Sequence, residues 1–293
     1  MTPPNPSLAS AATADPAPLS FEFFPPNTPE GLVKLRETRR QLAELKPEFF
    51  SVTYGAGGAT RDKTLGVVNE IAAEGHAVAP HLSCVGASQA HIAELLTHWK
   101  TQGVRRVVAL RGDLPSGMVD AGAFRHASDL VSFIRAQTGD WFHIEVAAYP
   151  ETHPQAVSPD ADLEAFVTKV DAGANAAITQ YFYNADAYFR FVDAAQARGV
   201  RVPIVPGIMP ITNYTQLARF SDACGAEIPR WIRLKLAALA EDTASLRAFG
   251  HDVVCALCER LLAQGAPGLH FYTLNQPGPS LAIWQAVHSG PTR

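Results

Sequence analysis

Eight times along this chain a short apolar run stops in a cluster of polar and glycine residues and gives way to a helix-like segment. The clearest instance is the run Val107, Val108, Ala109, Leu110, which ends in Arg111, Gly112 and Asp113. It is short and carries β-branched residues, so it reads as a buried strand. Gly112 frees the backbone to turn where the strand stops. The other runs lie at 20–25, 49–54, 77–85, 142–150, 176–183, 202–210 and 268–275. The first seven begin at intervals near the ~31 residues per unit of a ~250-residue (β/α)8 barrel. Parallel strands need a crossover of this kind, so the alternation predicts a parallel α/β fold. The count of eight predicts a (β/α)8 TIM barrel, a single domain over residues 19–293 behind a disordered tail over 1–18. An open, doubly wound sheet is the alternative. The tail is rich in Pro, Ala and Ser and lacks the basic start and apolar middle of a signal peptide.

Helix starts are marked by polar caps. Thr28 precedes Pro29, which suits the first helical position, and Ser88 and Asn184 precede later helices. Thr60 stands in the same relation to the helix that follows the glycine-rich turn Gly55, Ala56, Gly57, Gly58. Such a turn between strand and helix can hold a phosphate, although the Walker lysine and the full G-x-G-x-x-G pattern are both missing.

The formal net charge of −4 gives no broad basic field for nucleic acid or an anionic membrane. No apolar stretch approaches the roughly 20 residues that span a bilayer. Neither nucleic acid nor a membrane is an expected partner; small molecules and further copies of the chain, in a homo-oligomer, are. Cys84, Cys224, Cys255 and Cys258 are too few for a disulfide framework in a chain this long, and a reducing cytoplasm is the expected compartment. Cys255 and Cys258 have C-x-x-C spacing, but in a helix-like segment with no second pair. They read as small buried residues of one helix face, and no metal site is predicted.

In a (β/α)8 barrel the active face lies at the carboxyl ends of the strands. The residues that fall there are Glu22, Thr53, Tyr54, His81, Arg111 and Asp113, then Tyr149, His153, Gln180, Tyr214 and Asn275. Two carboxylates, two imidazoles, a guanidinium, amides and aromatics suit a flat organic molecule with polar edges. Each has a plainer reading. Glu22 could pair with a buried arginine, Arg111 and Asp113 could form a structural ion pair, His81 could be a hydrogen-bonded core histidine, and Gln180 could satisfy backbone groups.

Eight motifs in order carry a resemblance. They are FEFFPP from Phe21, SVTYGAGG from Ser51, PHLSC from Pro80, LRGDLP from Leu110, AAYPETHP from Ala147, DAGANAAITQYFY from Asp171, PGIMPITNY from Pro206 and HFYTLN from His270. Through them the chain resembles the methylenetetrahydrofolate reductases, flavin-dependent barrels of one-carbon metabolism, over about residues 20–275.

The resemblance implies reduction of 5,10-methylenetetrahydrofolate to 5-methyltetrahydrofolate, with NADH or NADPH as hydride donor and FAD as the bound carrier. It implies that Thr53, Tyr54, Ala56, His81, Arg111 and Gly112 contact the FAD. Asp113, His126, Ala127, Ala147 and Tyr149 would do the same, as would His153, Asp162 and Lys169. Lys169 and His153 would face the pyrophosphate. Glu22 matches the general acid, and its aromatic neighbours are expected to raise its pKa and keep it protonated near neutral pH. Asp113 and Gln180 match residues that contact the pterin, and Tyr214 an aromatic that stacks on substrate or nicotinamide. The family pattern has Arg where this chain has Gln276, at the position that meets the folate's glutamate tail. His126 stands where a Tyr is expected, and Ala165 and Thr168 replace polar or basic residues expected near the cofactor phosphates. The alternative function is a flavin barrel acting on another amine or imine, of the proline dehydrogenase kind.

Overall fold

The structure is a computed structural model that describes residues 17–54, 61–112 and 122–289. Each strand except β7, which runs straight into β8, is followed by a helix, and every strand pairing is parallel. The chain runs β1 (Leu19–Phe23), α1 (Pro29–Ala43), β2 (Phe49–Val52), α2 (Arg61–Ala73), β3 (Val78–Ser83), α3 (Gln89–Thr101) and β4 (Arg106–Leu110). It continues through α4 (Ala127–Thr138), β5 (His143–Ala148), α5 (Pro159–Asp171), β6 (Ala176–Thr179) and α6 (Ala185–Ala197). Then come β7 (Ile204–Val205), β8 (Gly207–Ile208), α7 (Tyr214–Cys224), α8 (Arg230–Ala238), α9 (Thr243–Ala263), β9 (Leu269–Tyr272) and α10 (Pro277–Ser289).

The strands form one sheet in the order β7-β6-β5-β4-β3-β2-β1-β9-β8. Its two ends, β7 and β8, are consecutive in the chain, so the sheet closes into a barrel rather than lying open. The single run expected at 202–210 is thus two short strands, parted at Pro206, which has no N–H to donate to a ladder. The first half pairs with β6 and the second with β9. Gly207 is needed at this seam. A side chain there would overlap the Thr179 carbonyl and come within 2.6 Å of the Tyr272 ring.

The predicted caps are in place. The side chains of Thr28, Ser88 and Asn184 accept from backbone N–H groups in the first turns of α1, α3 and α6. Pro18, the last residue of the expected tail, already belongs to the barrel, because its carbonyl accepts from Leu269 N at 2.9 Å. Residues 1–16 and Thr60 lie outside the described residues.

Strand alternation sorts the core into two parts. Phe21, Phe23, Phe50 and Phe271 are fully or almost fully buried in the large cluster between sheet and helices, and their rings touch. A smaller cluster of Phe49, Ala79, Val108 and Ile178 fills the lumen. Below it, at the amino ends of the strands, Arg106 pairs with Glu48 and with Glu145, the latter at 2.7 Å. Burial pushes the Glu145 carboxyl up to about 7, against the pull of Arg106. Ser20, Glu22, Ser51, His81 and His270 are polar residues at further inward positions.

Among the described residues no helix is long and apolar enough to cross a membrane. Cys255 and Cys258 are buried free thiols on α9, and burial pushes Cys255 up to about 11.

Candidate active site

On β1, alternation turns Phe21 and Phe23 outward and Ser20 and Glu22 into the lumen. The register sets Ser20 beside His270 and Glu22 beside Ser51 and Tyr272. His81, inward on β3, completes the surroundings. The Glu22 Oε2 lies 3.3 Å from His81 Nε2 and 3.7 Å from His270 Nε2. Ser20 Oγ lies 2.7 Å from His270 Nδ1. With the serine donating to Nδ1, the Nε2–H of His270 faces the carboxylate. Ser20, His270 and Glu22 then form a connected polar chain, with His81 on its other flank.

This corrects one expectation. Burial raises the Glu22 carboxyl, but the charge of His81 and the contacts with His270 outweigh it, and the net is a pKa lowered to about 2. The aromatic neighbours in sequence do not surround the carboxylate, because they point to the opposite face of the strand. The partner is a pair of imidazoles, not the arginine of the plainer reading. His270 was missed as a site residue. Its signal was parity: it lies two before Tyr272 on the inward face of the last strand.

A cavity of about 600 Å³ opens at the carboxyl ends of β4 and β5. Arg111, Gly112, His126, Ala127, Ala147 and Tyr149 line it, as do His153, Asp162 and Lys169. The predicted FAD contacts in the described middle of the chain thus come together at one place. The Lys169 Nζ donates to Ala147 O at 2.6 Å. Burial pushes its ammonium down to about 8, while Asp162 opposes the shift. Asp162 also fixes the β5–α5 loop by accepting from His153 N at 2.8 Å. The Arg111 guanidinium donates to Gln155 and, at 3.3 Å, to the Gly112 carbonyl. Tyr149 and His153 pack edge to face with ring centroids 4.5 Å apart. Gln155 and Glu164 also line the cavity and carried no sequence signal as site residues. Ala165 and Thr168 lie on its α5 wall.

The arrangement fits the dinucleotide that the resemblance implies. Cationic and imidazole groups at one wall suit a pyrophosphate, and Ala109, Ala127, Ala147 and Ala161 leave room for a flat ring. Of the other predicted contacts, Thr53 and Tyr54 follow β2 and are half-buried, and His81 reaches Glu22 instead of this cavity. Ala56 and Asp113 lie outside the described residues.

Gln180 follows β6 and lines a small cleft together with Tyr149, which also lines the large cavity. The Gln180 side-chain oxygen accepts from Tyr181 N at 3.0 Å. Tyr272 connects this side of the mouth to Glu22. It lies in register with Glu22, and its hydroxyl donates across the lumen to Thr179 O at 2.7 Å, one residue before Gln180. Tyr214 is half-buried at the start of α7, packed on the core, and lines neither the cavity nor the cleft. Gln276 is exposed just before α10. The Asn275 side chain is engaged with the backbone of Phe24, not turned to a ligand.

Fold and site together define a (β/α)8-barrel enzyme with an acid–imidazole cluster beside an open, cation-walled cavity. The family model for methylenetetrahydrofolate reductase matches residues 8–288. The chain is 41% identical to the 5,10-methylenetetrahydrofolate reductase of Pectobacterium carotovorum over 93% of its own length and 91% of that protein's. Identity to the protein of that name in Escherichia coli is also 41%, with the same coverage. A rice protein named probable methylenetetrahydrofolate reductase (NADH) is 40% identical over 90% of this chain and 47% of its own length. Among solved structures, a Clostridium thermocellum protein described as binding two copies of 5-methyl-5,6,7,8-tetrahydrofolic acid superposes with a TM-score of 0.64. It covers 94% of each chain at 17% identity, which supports the barrel fold alone. The chain belongs to the methylenetetrahydrofolate reductase family of oxidoreductases.

Proposed function

We propose that this protein reduces 5,10-methylenetetrahydrofolate to 5-methyltetrahydrofolate with NADH or NADPH as donor, in two half-reactions that share one site and a bound FAD. The observation that carries the reading is the Glu22 carboxylate held between two imidazoles in the lumen near the carboxyl end of β1, with the cavity at the carboxyl ends of β4 and β5 of the same barrel. Bound FAD would supply the means of taking hydride from the nicotinamide and passing it to the folate. Lys169, His153 and Arg111 would hold its pyrophosphate, and the alanine-lined wall its ring.

Opening the folate's five-membered ring requires a proton on a ring nitrogen. Glu22 would deliver it. The resting carboxyl is ionised, so it takes up a proton before passing it to the folate, and His81 and His270 are the groups in contact with it. Ser20 holds His270 in the tautomer that presents Nε2–H to Glu22. Gln180 orients the pterin through its amide nitrogen, since its oxygen already accepts from Tyr181 N. Gln276 replaces a charge with an amide at the folate's tail. In this reading the enzyme works in the cytoplasm, and its partners are its two small-molecule substrates and further copies of the chain.

The test is a paired half-reaction assay on the flavin-loaded protein. Glu22→Gln is expected to leave flavin reduction by NADH largely intact and to block reoxidation by methylenetetrahydrofolate. Equal loss of both steps refutes the role. A wild-type flavin that NADH reduces but methylenetetrahydrofolate does not reoxidise refutes the substrate.

A further inference from the structure

We infer that Asn275 is a positioning residue for the Glu22 acid, acting through the backbone of the strand that carries it. The inference rests on the reading of Glu22 given above. The parallel ladder between β1 and β9 ends at the pair Glu22 and Tyr272. Beyond it the chain turns sharply, with Leu274 at φ +49° and Asn275 at φ +57°. Leucine rarely adopts such a backbone, while asparagine tolerates it. The turn puts the Asn275 amide where a strand neighbour would have been. Its Oδ1 accepts from Phe24 N at 3.1 Å and its Nδ2 donates to Phe24 O at 2.8 Å. One planar side chain thereby extends the ladder two residues past Glu22.

The same turn grips the acid's own peptide. Thr273 Oγ1 donates to Glu22 O at 2.7 Å and accepts from Asn275 N at 3.1 Å. The Asn275 carbonyl is anchored in turn by Thr38 of α1, whose hydroxyl donates to it at 3.2 Å. On the other flank, Thr53 N donates to Phe23 O at 2.9 Å. The acid's imidazole partner His270 sits on β9, five residues before Asn275. The clamp therefore ties Glu22 to the strand that bears His270 just where the main-chain ladder ends. At 3.3 and 3.7 Å the two imidazole contacts are long, so a small shift of Glu22 changes which ring it meets.

The experiment uses the flavin-loaded enzyme and measures, in one preparation, flavin reduction by NADH and reoxidation by methylenetetrahydrofolate. Asn275→Asp puts an acceptor against Phe24 O in place of the donor. Thr273→Val removes the grip on Glu22 O, and Thr273→Ser restores it. A misplacement of about 1 Å can cost about a hundredfold in rate. We expect Asn275→Asp and Thr273→Val to lower the folate step about tenfold or more relative to flavin reduction, with folate KM within about twofold and Thr273→Ser close to wild type. Both steps falling together, an unchanged ratio, or Thr273→Ser as impaired as Thr273→Val would each overturn the inference. Glu22→Gln run alongside separates the two failures. If it still turns over folate, the reading of Glu22 and this inference fall together. If it blocks folate while Asn275→Asp leaves the ratio unchanged, the inference alone fails.

Discussion

Replacing Gly112 with alanine strikes the turn at the end of β4, where the cavity begins. Gly112 has φ +84°, and for an L-residue a left-handed backbone costs roughly 1–2 kcal/mol. A Cβ there would also overlap the Ser83 hydroxyl and lie 3.1 Å from the Ser83 Cβ. The hydroxyl must swing away and give up its 3.0 Å bond to Arg111 O, a further loss of about 1 kcal/mol. The expected destabilisation of Gly112→Ala is then about 2–3 kcal/mol, a fall in Tm of roughly 3–5 °C for a chain of this length. The assay is thermal unfolding of the apoprotein, paired with fluorescence titration of FAD. Because Gly112 lines the cavity and carries the carbonyl that holds Arg111, flavin affinity should fall as well. A double-mutant cycle isolates the serine. In a Ser83→Ala background the bond is already gone, so adding Gly112→Ala should cost about 1 kcal/mol less than it does in wild type. A Gly112→Ala protein within about 0.5 kcal/mol of wild type refutes the backbone argument. An equal cost in both backgrounds refutes the steric one.

Two other outcomes follow from charges that the fold encloses. Lys169 lines the cavity with Arg111, His153 and Asp162, and burial pushes its ammonium down to about 8. An anion at this wall favours the charged form. FAD affinity should therefore hold below pH 8 and weaken as pH rises past it, and Lys169→Met should flatten that dependence in a titration by flavin fluorescence. Arg39 is buried on α1 and joins Glu70, at 2.6 Å, and Glu74 of the α2 end. Because those carboxylates keep partial access to water, Arg39→Met should cost about 1–3 kcal/mol in chemical unfolding and leave FAD affinity unchanged. A shifted FAD affinity would place the helix pair in the site's support.

The barrel was legible because each strand carries its own stop signal. The run ending in Arg111, Gly112 and Asp113 and the cap of Thr28 before Pro29 are local patterns, and local patterns survive folding. Other features depend on which distant segments meet. Pro206 marks a break inside a strand, yet the exchange of partners from β6 to β9 there needs residues about 30 to 60 positions away in either direction. Asn275 was read as facing a ligand because it sits past a strand end, but its amide answers to Phe24 across 251 positions. The sign of the Glu22 shift turned on the same distinction. A carboxylate's pKa follows from what faces it, and on a strand the adjacent residues face the other way. The residues that decide the case are two positions away or across the ladder: Ser20, Ser51, His270 and Tyr272, with His81 beyond. Two imidazoles in that set favour the ionised form, whereas the phenylalanines next in sequence pack against the helices and leave the carboxylate's charge untouched. Parity, applied to chemistry as it already is to burial, puts His270 in the site and an ionised Glu22 beside it.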